Sequence, residues 1–268
     1  MKKTEIARIP IWLPEEIGQL CVGARIFDSS CSPEARVYFI DRDGGYYLKS
    51  AAVGSLAREA EMTDYFYKKG VGTEVISYLS KDSDLLLTRA VRGDDCTTAK
   101  YLEDPKRLCD TLAERLRMLH EIDHSDCPVQ DRVSEYLAGA KKNYLDDNYN
   151  KEHFPDSFGY RSGEEAYDAL RNGEHLLKND VLIHGDYCLP NVMLDDWSFS
   201  GFIDVDHGGV GDRHIDLFWG RWSIIFNLQL QGASEDTEKY GRRFLDAYGR
   251  DKINEETLSV VAAAEVFG

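Results

Sequence analysis

The stretch Val181–Asp216, VLIHGDYCLPNVMLDDWSFSGFIDVDHGGVGDRHID, constrains this chain more than any other. A short apolar run, VLIH, ends in Gly185-Asp186. Asn191 follows five residues after Asp186, and a second apolar run, GFID, closes on Asp204. Short strands joined by tight turns are the compact way to fold such a pattern. A hairpin of this length would aim Asp186, Asn191 and Asp204 at one point.

The sequence on either side divides in two. Residues 14–20 read as a short helix with Pro14 at its opening, VGARIFD as a strand and SSCSPEA as a turn. Residues 36–49, RVYFIDRDGGYYLK, alternate apolar positions about Asp43-Gly44, which is a hairpin signature. Residues 55–69 are helical up to Gly70, and EVISYLS and DLLLTRA are two more strands. Residues 1–92 therefore predict a five-stranded antiparallel sheet with one main helix.

Residues 93–268 predict a mainly helical lobe. Asp104-Pro105 opens a helix whose Leu108, Leu112, Leu116 and Leu119 recur on one face. Further helices are expected near 131–146, 163–177, 212–229, 235–248 and 254–266. Ser162 to Glu165 form a capping-box pattern. Short strands are expected at 181–184, 192–195 and 200–205, with Gly208–Gly211 as a turn into the helix at Asp212. The fold class is α+β, in two lobes.

A net charge of −16 argues against nucleic acid, whose binding needs clustered Lys and Arg, and suits a cationic ligand. No apolar run is long enough for a membrane helix, and the N-terminus lacks the apolar core of a signal peptide. The six cysteines include no CxxC pair, which reads as free thiols in a cytoplasmic protein.

Lys49 ends the strand YYLK. Glu59 lies on the apolar face of the following helix, with Leu56, Met62 and Phe66. A buried acid needs a cation, and a strand lysine paired with a helix glutamate is how a lysine is held on nucleotide phosphates. Phosphoryl transfer to an alcohol also needs a carboxylate to orient the hydroxyl and take its proton, and hard oxygen ligands for magnesium. Asp186 suits the first task, Asn191 and Asp204 the second.

The segments LIHGDYCLPNVML and GFIDVDHGGVGDRHIDL resemble the catalytic core of aminoglycoside phosphotransferases of the 3′ type, which have a protein-kinase-like fold. CSPEARVYFI, YYLK, LAREAEM, LRMLHEIDHSDCP and the tail AAAEVFG extend the resemblance over most of the chain. It implies that Asp186 is the catalytic base and that Asn191 and Asp204 hold Mg2+. Lys49, oriented by Glu59, would hold the α- and β-phosphates of ATP, and Ser32 would touch the β-phosphate. Tyr47 would stack on adenine above Met193 and Ile203, with backbone groups of Thr88 and Ala90 on its edge. Such backbone contacts do not fix the purine, so GTP is an alternative donor.

On the acceptor side, Glu152, Asp156 and Glu265 would meet a cationic aminoglycoside, near His207 and Phe267. The resemblance implies a phosphorylated drug, hence resistance, and a monomer or weak dimer. Three departures bear on the acceptor. Asp206-His207 replaces a Gly-Arg pair common in the family. Phe226-Asn227 stands where some members carry Glu-Asp, and Gly268 extends the tail past Phe267. Choline-like or other sugar and amino alcohols are therefore alternative acceptors. A protein kinase is disfavoured by the lack of DFG and APE segments, and a non-catalytic binding module by the intact Lys49, Glu59, Asp186, Asn191 and Asp204.

Overall fold

Three consecutive leucines, Leu85, Leu86 and Leu87, show how the N-terminal sheet is built. Side chains of a strand alternate between faces, so a fully apolar strand must be covered on both sides. In the computed structural model, which describes residues 3–31, 33–154, 158–232 and 236–268, this strand is second from one edge of a six-stranded sheet. The strands are β1 (Thr4–Ile6), β2 (Arg25–Asp28), β3 (Ala35–Asp41), β4 (Tyr46–Ala51), β5 (Val75–Ser80) and β6 (Asp84–Arg89). Their order is β1-β2-β3-β4-β6-β5, antiparallel throughout. Five strands were expected. The sixth, β1, is three mostly exposed residues, too short to show alternation, and it pairs with β2 through Ile6 and Ile26.

Leu85 and Leu87 join Ile26, Tyr38, Ile40 and Leu48 beneath Ile17 of α1 (Glu15–Cys21). Leu86 points the other way, onto Leu56 and Ala60 at the start of α2 (Ala57–Lys68). Each such leucine contributes roughly 1.5–3 kcal/mol by leaving water. Asp84, fully buried at the head of β6, pins the start of α2. It accepts from Gly54 N (2.9 Å), Leu56 N (2.8 Å) and the Tyr78 hydroxyl (2.9 Å). Burial opposes its charge, but these hydrogen bonds and one with Ser80 win, and its pKa is pushed down to about 2.

The chain forms two compact units, Met1–Cys96 with Pro190–Asp206, and Thr97–Leu189 with His207–Gly268. Measured by compactness, the first unit runs past the 92/93 boundary read from the sequence and takes in the 190–206 hairpin. In that hairpin β9 (Val192–Asp195) pairs with β10 (Ser198–Phe202) and with β7 (Asp94–Asp95). The third expected strand therefore spans 198–202 and stops before Asp204. The hairpin is tied to the large sheet's helix side by Phe202 N donating to Val71 O (2.8 Å) and by the Phe66–Phe202 edge contact.

The second unit contains α3 (Ala99–Leu102), α4 (Pro105–His120), α5 (Arg132–Leu145), α6 (Gly163–Gly173), α7 (Arg213–Leu230), α8 (Glu238–Tyr248) and α9 (Glu255–Glu265). Asp104 caps α4 by accepting from Arg107 N (3.1 Å), and Leu108, Leu112, Leu116 and Leu119 are all buried. Ser162 caps α6 through Glu165 N (3.2 Å). Glu165 reaches back past Ser162 N to Arg161 N (2.9 Å), one residue beyond the donor of a capping box. Helix α6 ends at Gly173 and continues only as a 3-10 turn, Glu174–Leu176, where a single helix was expected to 177.

The segment expected to be a turn at Gly208–Gly211 is instead β11 (Gly209–Gly211), antiparallel to β8 (Val181–Ile183). Its glycines are there for close approach: a Cβ on Gly211 would strike the Ile183 side chain, and one on Gly209 the Val129 and Arg132 side chains. Among the described residues, no helix is long and apolar enough to cross a membrane.

Candidate active site

The candidate residues fall into two groups, one in each unit. In the first unit, the β4–β6 register pairs Lys49 with Leu86, so Lys49 shares the α2-facing side of the sheet. One turn beyond Leu56, α2 presents Glu59, 8% exposed. Lys49 Nζ donates to Glu59 Oε2 at 2.7 Å and to Asp204 Oδ1 at 3.1 Å. Burial works against the Lys49 charge, but the Asp204 and Glu59 carboxylates outweigh it and hold its pKa above the ordinary lysine value. Burial pushes Glu59 up to about 7; Lys49 opposes this, and Asp204 and Asp206 reinforce it.

Asn191 and Asp204 sit at the same end of the hairpin. Val192 faces Phe202 across it, and beyond that pair Ile203 N donates to Asn191 O (3.1 Å). Asp204 has φ +59°, a left-handed conformation that costs a non-glycine residue roughly 1–2 kcal/mol. Such strain persists where the surrounding structure imposes it, and it gathers at ligand sites. Two carboxylates, Glu59 and Asp204, share one lysine here, and the Asp206 charge also acts on Glu59, so the local charge favours a divalent cation. Among the described residues no three His, Cys, Asp or Glu side chains gather to hold a metal. Magnesium fits such a sparse site, because it takes most of its ligands from phosphate and water. Asn191 and Asp204 would hold it.

Tyr47 stands two residues before Lys49 on the same face, opposite Thr88. It is half-buried, with its ring centroid 5.1 Å from that of Phe39. Met193 and Ile203 are half-buried on the hairpin. The Ala90 N–H already donates to Gly45 O at 2.9 Å, so an adenine edge would have to displace that carbonyl to use it. Ser32 lies outside the described residues.

In the second unit, β8 delivers the His184-Gly185-Asp186 turn. Gly185 has φ +83°, and a Cβ there would strike the His207 carbonyl, so only glycine fits. The turn is held by Asp216 of α7, which is fully buried. Asp216 accepts from His184 N (2.8 Å), Gly185 N (2.8 Å) and His120 Nε2 (3.1 Å). The Tyr248 hydroxyl meets His120 Nδ1 at 2.8 Å. Two turns along α7, Ser223 Oγ accepts from Leu189 N (3.0 Å) and is met by Asn227 Nδ2 (3.3 Å). Between these anchors Asp186 is half-buried, and its carbonyl accepts from Cys188 N (2.8 Å). The Cys188 thiol hydrogen-bonds the Asp186 and Ser223 side chains; burial first, then the Asp186 charge, raises its pKa well above the usual thiol value.

Sequence reasoning missed Asp216 and Ser223. The available signal was an acid inside the apolar helical run IDLFW, since a buried acid needs donors, but nothing local named those donors.

The acceptor-side candidates separate sharply. Glu265, 8% exposed, accepts from the Tyr136 hydroxyl (2.8 Å) and Trp219 Nε1 (3.1 Å) at the same oxygen. Burial pushes its pKa up to about 7, the two donors pull it down in part, and the Asp186 charge adds to the rise. Phe267 is a core residue: its ring is fully buried against Tyr144 and Tyr149, and its carbonyl accepts from Asn143 Nδ2 (2.8 Å). His207 is exposed, and its carbonyl accepts from Arg132 Nε (2.9 Å). Glu152 is exposed on a 3-10 turn. Asp156 lies outside the described residues.

The Glu265 shift has a stability consequence with a definite sign. The folded chain keeps a proton that the unfolded chain releases above about pH 4.5, so stability falls as pH rises from there to about 7. Glu265→Gln keeps the acceptor oxygen and removes the titration. At pH 8 the variant is expected to be more stable than the parent by roughly 1–3 kcal/mol, and at pH 5 equal to it. Thermal melts across that range check this; parallel curves for the two proteins would refute it.

The family model described as "Phosphotransferase enzyme family" matches residues 25–259. A Lactococcus lactis protein named "Probable aminoglycoside 3′-phosphotransferase" is 51% identical over 256 residues, 95% of each chain. An aminoglycoside 3′-phosphotransferase of Streptomyces fradiae is 26% identical over 79% of each. Among solved structures, an aminoglycoside-3′-phosphotransferase of type VIII superposes with a TM-score of 0.74 at 25% identity, covering 92% of this chain and 94% of that one. The α+β, protein-kinase-like architecture expected from the sequence is the fold of these enzymes. With the matched region running from β2 into α9, this chain belongs to the phosphotransferase enzyme family.

Proposed function

We propose that the protein transfers the γ-phosphoryl group of ATP to a hydroxyl of an aminoglycoside, the 3′-hydroxyl, and so confers resistance to the drug. The observation that carries this reading is Lys49 bonded to both Glu59 and Asp204, with Asn191 at the same hairpin end. That is phosphate-holding and metal-holding chemistry assembled in one unit. Lys49 holds the α- and β-phosphates and Glu59 keeps its ammonium aimed. Asn191 and Asp204 supply oxygen to Mg2+, which when bound neutralises charge on the transferring phosphoryl group. Asp186, on a loop clamped from α7, orients the acceptor hydroxyl and takes its proton. Glu265 pairs with an ammonium group of the acceptor, and the acidic chain draws the polycation in.

Support for the acceptor class comes from the names of the relatives. Nucleotide use is supported by an aminoglycoside phosphotransferase structure from Streptomyces rimosus in complex with ADP and streptomycin, which shares the fold. The test is ADP release with ATP and Mg2+ across aminoglycosides with and without a 3′-hydroxyl, with choline as a further arm. Release is expected only with drugs bearing that hydroxyl. Release with choline or another simple alcohol, and with no aminoglycoside, would overturn the reading.

A further inference from the structure

Helix α7 carries two adjacent stripes. Asp216 and Ser223, seven residues apart, form the stripe that hydrogen-bonds the catalytic loop. About a quarter-turn round the helix lies a second stripe, Trp219, Trp222 and Phe226. Trp219 is anchored by its indole N–H to Glu265 and meets Trp222 edge-on at 5.4 Å. Trp222 and Phe226 are stacked, with centroids 4.8 Å apart and planes 11° apart. Phe226, the outer ring of the stack, is 41% exposed.

Phe226 is held flat in solvent by its stack on Trp222, on the same helix whose adjacent stripe holds the Asp186 loop, and exposed apolar surface in such a place marks a binding site. We infer that Phe226, backed by Trp222, is a platform on which one amino-sugar ring of the acceptor packs, at the other end of the aromatic stripe from the Trp219–Glu265 bond. This rests on the aminoglycoside reading and deepens it. The aromatic face attracts the C–H edge and the ammonium substituents of such a ring, while Glu265 supplies an acid at the Trp219 end of the stripe. The geometry selects a sugar over a choline-like head: two parallel rings make one flat face, whereas a trimethylammonium group needs rings on several sides. Asn227, the next residue, carries no charge, and its Nδ2 is spent on Ser223 O (2.8 Å) and Oγ (3.3 Å). At Phe226 recognition is by surface contact, and that share of the affinity should depend weakly on salt.

The test titrates kanamycin into the full-length protein, following tryptophan fluorescence for binding and ADP release for turnover. Phe226→Ala, at an exposed position, is expected to raise both the kanamycin Kd and KM about tenfold, with kcat and the KM for ATP unchanged. Phe226→Tyr should restore the parent values, and raised salt should weaken the two proteins equally. A parent enzyme that turns over kanamycin, with Phe226→Ala keeping the same Kd and KM, would overturn the platform alone. A parent that neither binds nor phosphorylates any aminoglycoside would overturn the acceptor reading and the platform with it.

Discussion

Replacing Asp186 by Asn is expected to lower kcat roughly 10²–10⁴-fold, the usual contribution of a positioned general base, and to leave ATP affinity within about twofold. The first effect follows from the proposed role: the amide keeps the size and one oxygen but cannot take the hydroxyl proton. The second follows from where the residues lie. Lys49, Glu59, Asn191 and Asp204 belong to one compact unit and Asp186 to the other, so the phosphate-holding group is left intact. The loop should also survive, because its anchors are the backbone bonds to Asp216 and Ser223, none of which uses the Asp186 carboxylate. Single-turnover phosphoryl transfer and calorimetric ATP titration separate the two quantities. Turnover near that of the parent would remove Asp186 from the proton-accepting role.

Asp216→Ala should be the most destabilising single change near the site, although Asp216 touches no ligand in the proposed mechanism. Its carboxylate receives three donors in a fully buried place. Truncation leaves His184 N, Gly185 N and His120 Nε2 without an acceptor, and stripping a buried charge from its partners costs roughly 3–5 kcal/mol. In a chain of this size that lowers Tm by about 10 °C. Asp216→Asn should cost less. Its oxygen can still serve the two donors that share Oδ2, but its NH2 then faces the Gly185 N–H. Both variants should lose turnover at temperatures where they remain folded, because Gly185 at positive φ loses its tether and Asp186 with it. Thermal melts paired with kcat measured well below Tm check this; an Asp216→Ala protein with parental Tm would show the loop to be held by other contacts.

These two residues mark the limits of the sequence reading. Asp186 stood out because its neighbours are local: a strand, a glycine, then an amide and an acid at short spacing. Asp216 closes the same stretch, but no local pattern singles it out, since its donors come from residues 120, 184 and 185. Lys49 and Glu59 were legible as a pair because helix periodicity placed Glu59 on an apolar face, where a buried acid needs a cation, and Lys49 ends the preceding strand. Asp204 as a second partner of Lys49 was not legible, because 155 residues separate them. The tail was harder still. Glu265 and Phe267 are two residues apart and both buried, yet one is an acid facing Tyr136 and Trp219 while the other is a core ring.

The sequence by itself determined the fold class, most helices and strands, and the residue types that the proposed phosphoryl transfer calls on. All of these are written in short-range pattern, where periodicity reports which face is buried and turn residues report where the chain reverses. Only the tertiary structure decided that the 190–206 hairpin joins the N-terminal unit, that Gly209–Gly211 is a strand, and that α7 clamps the loop carrying Asp186. It likewise decided that Trp222 and Phe226 stack, and that Trp219 beside them bonds Glu265. Each of these depends on which buried face meets which other, and periodicity shows that a face is covered without naming what covers it.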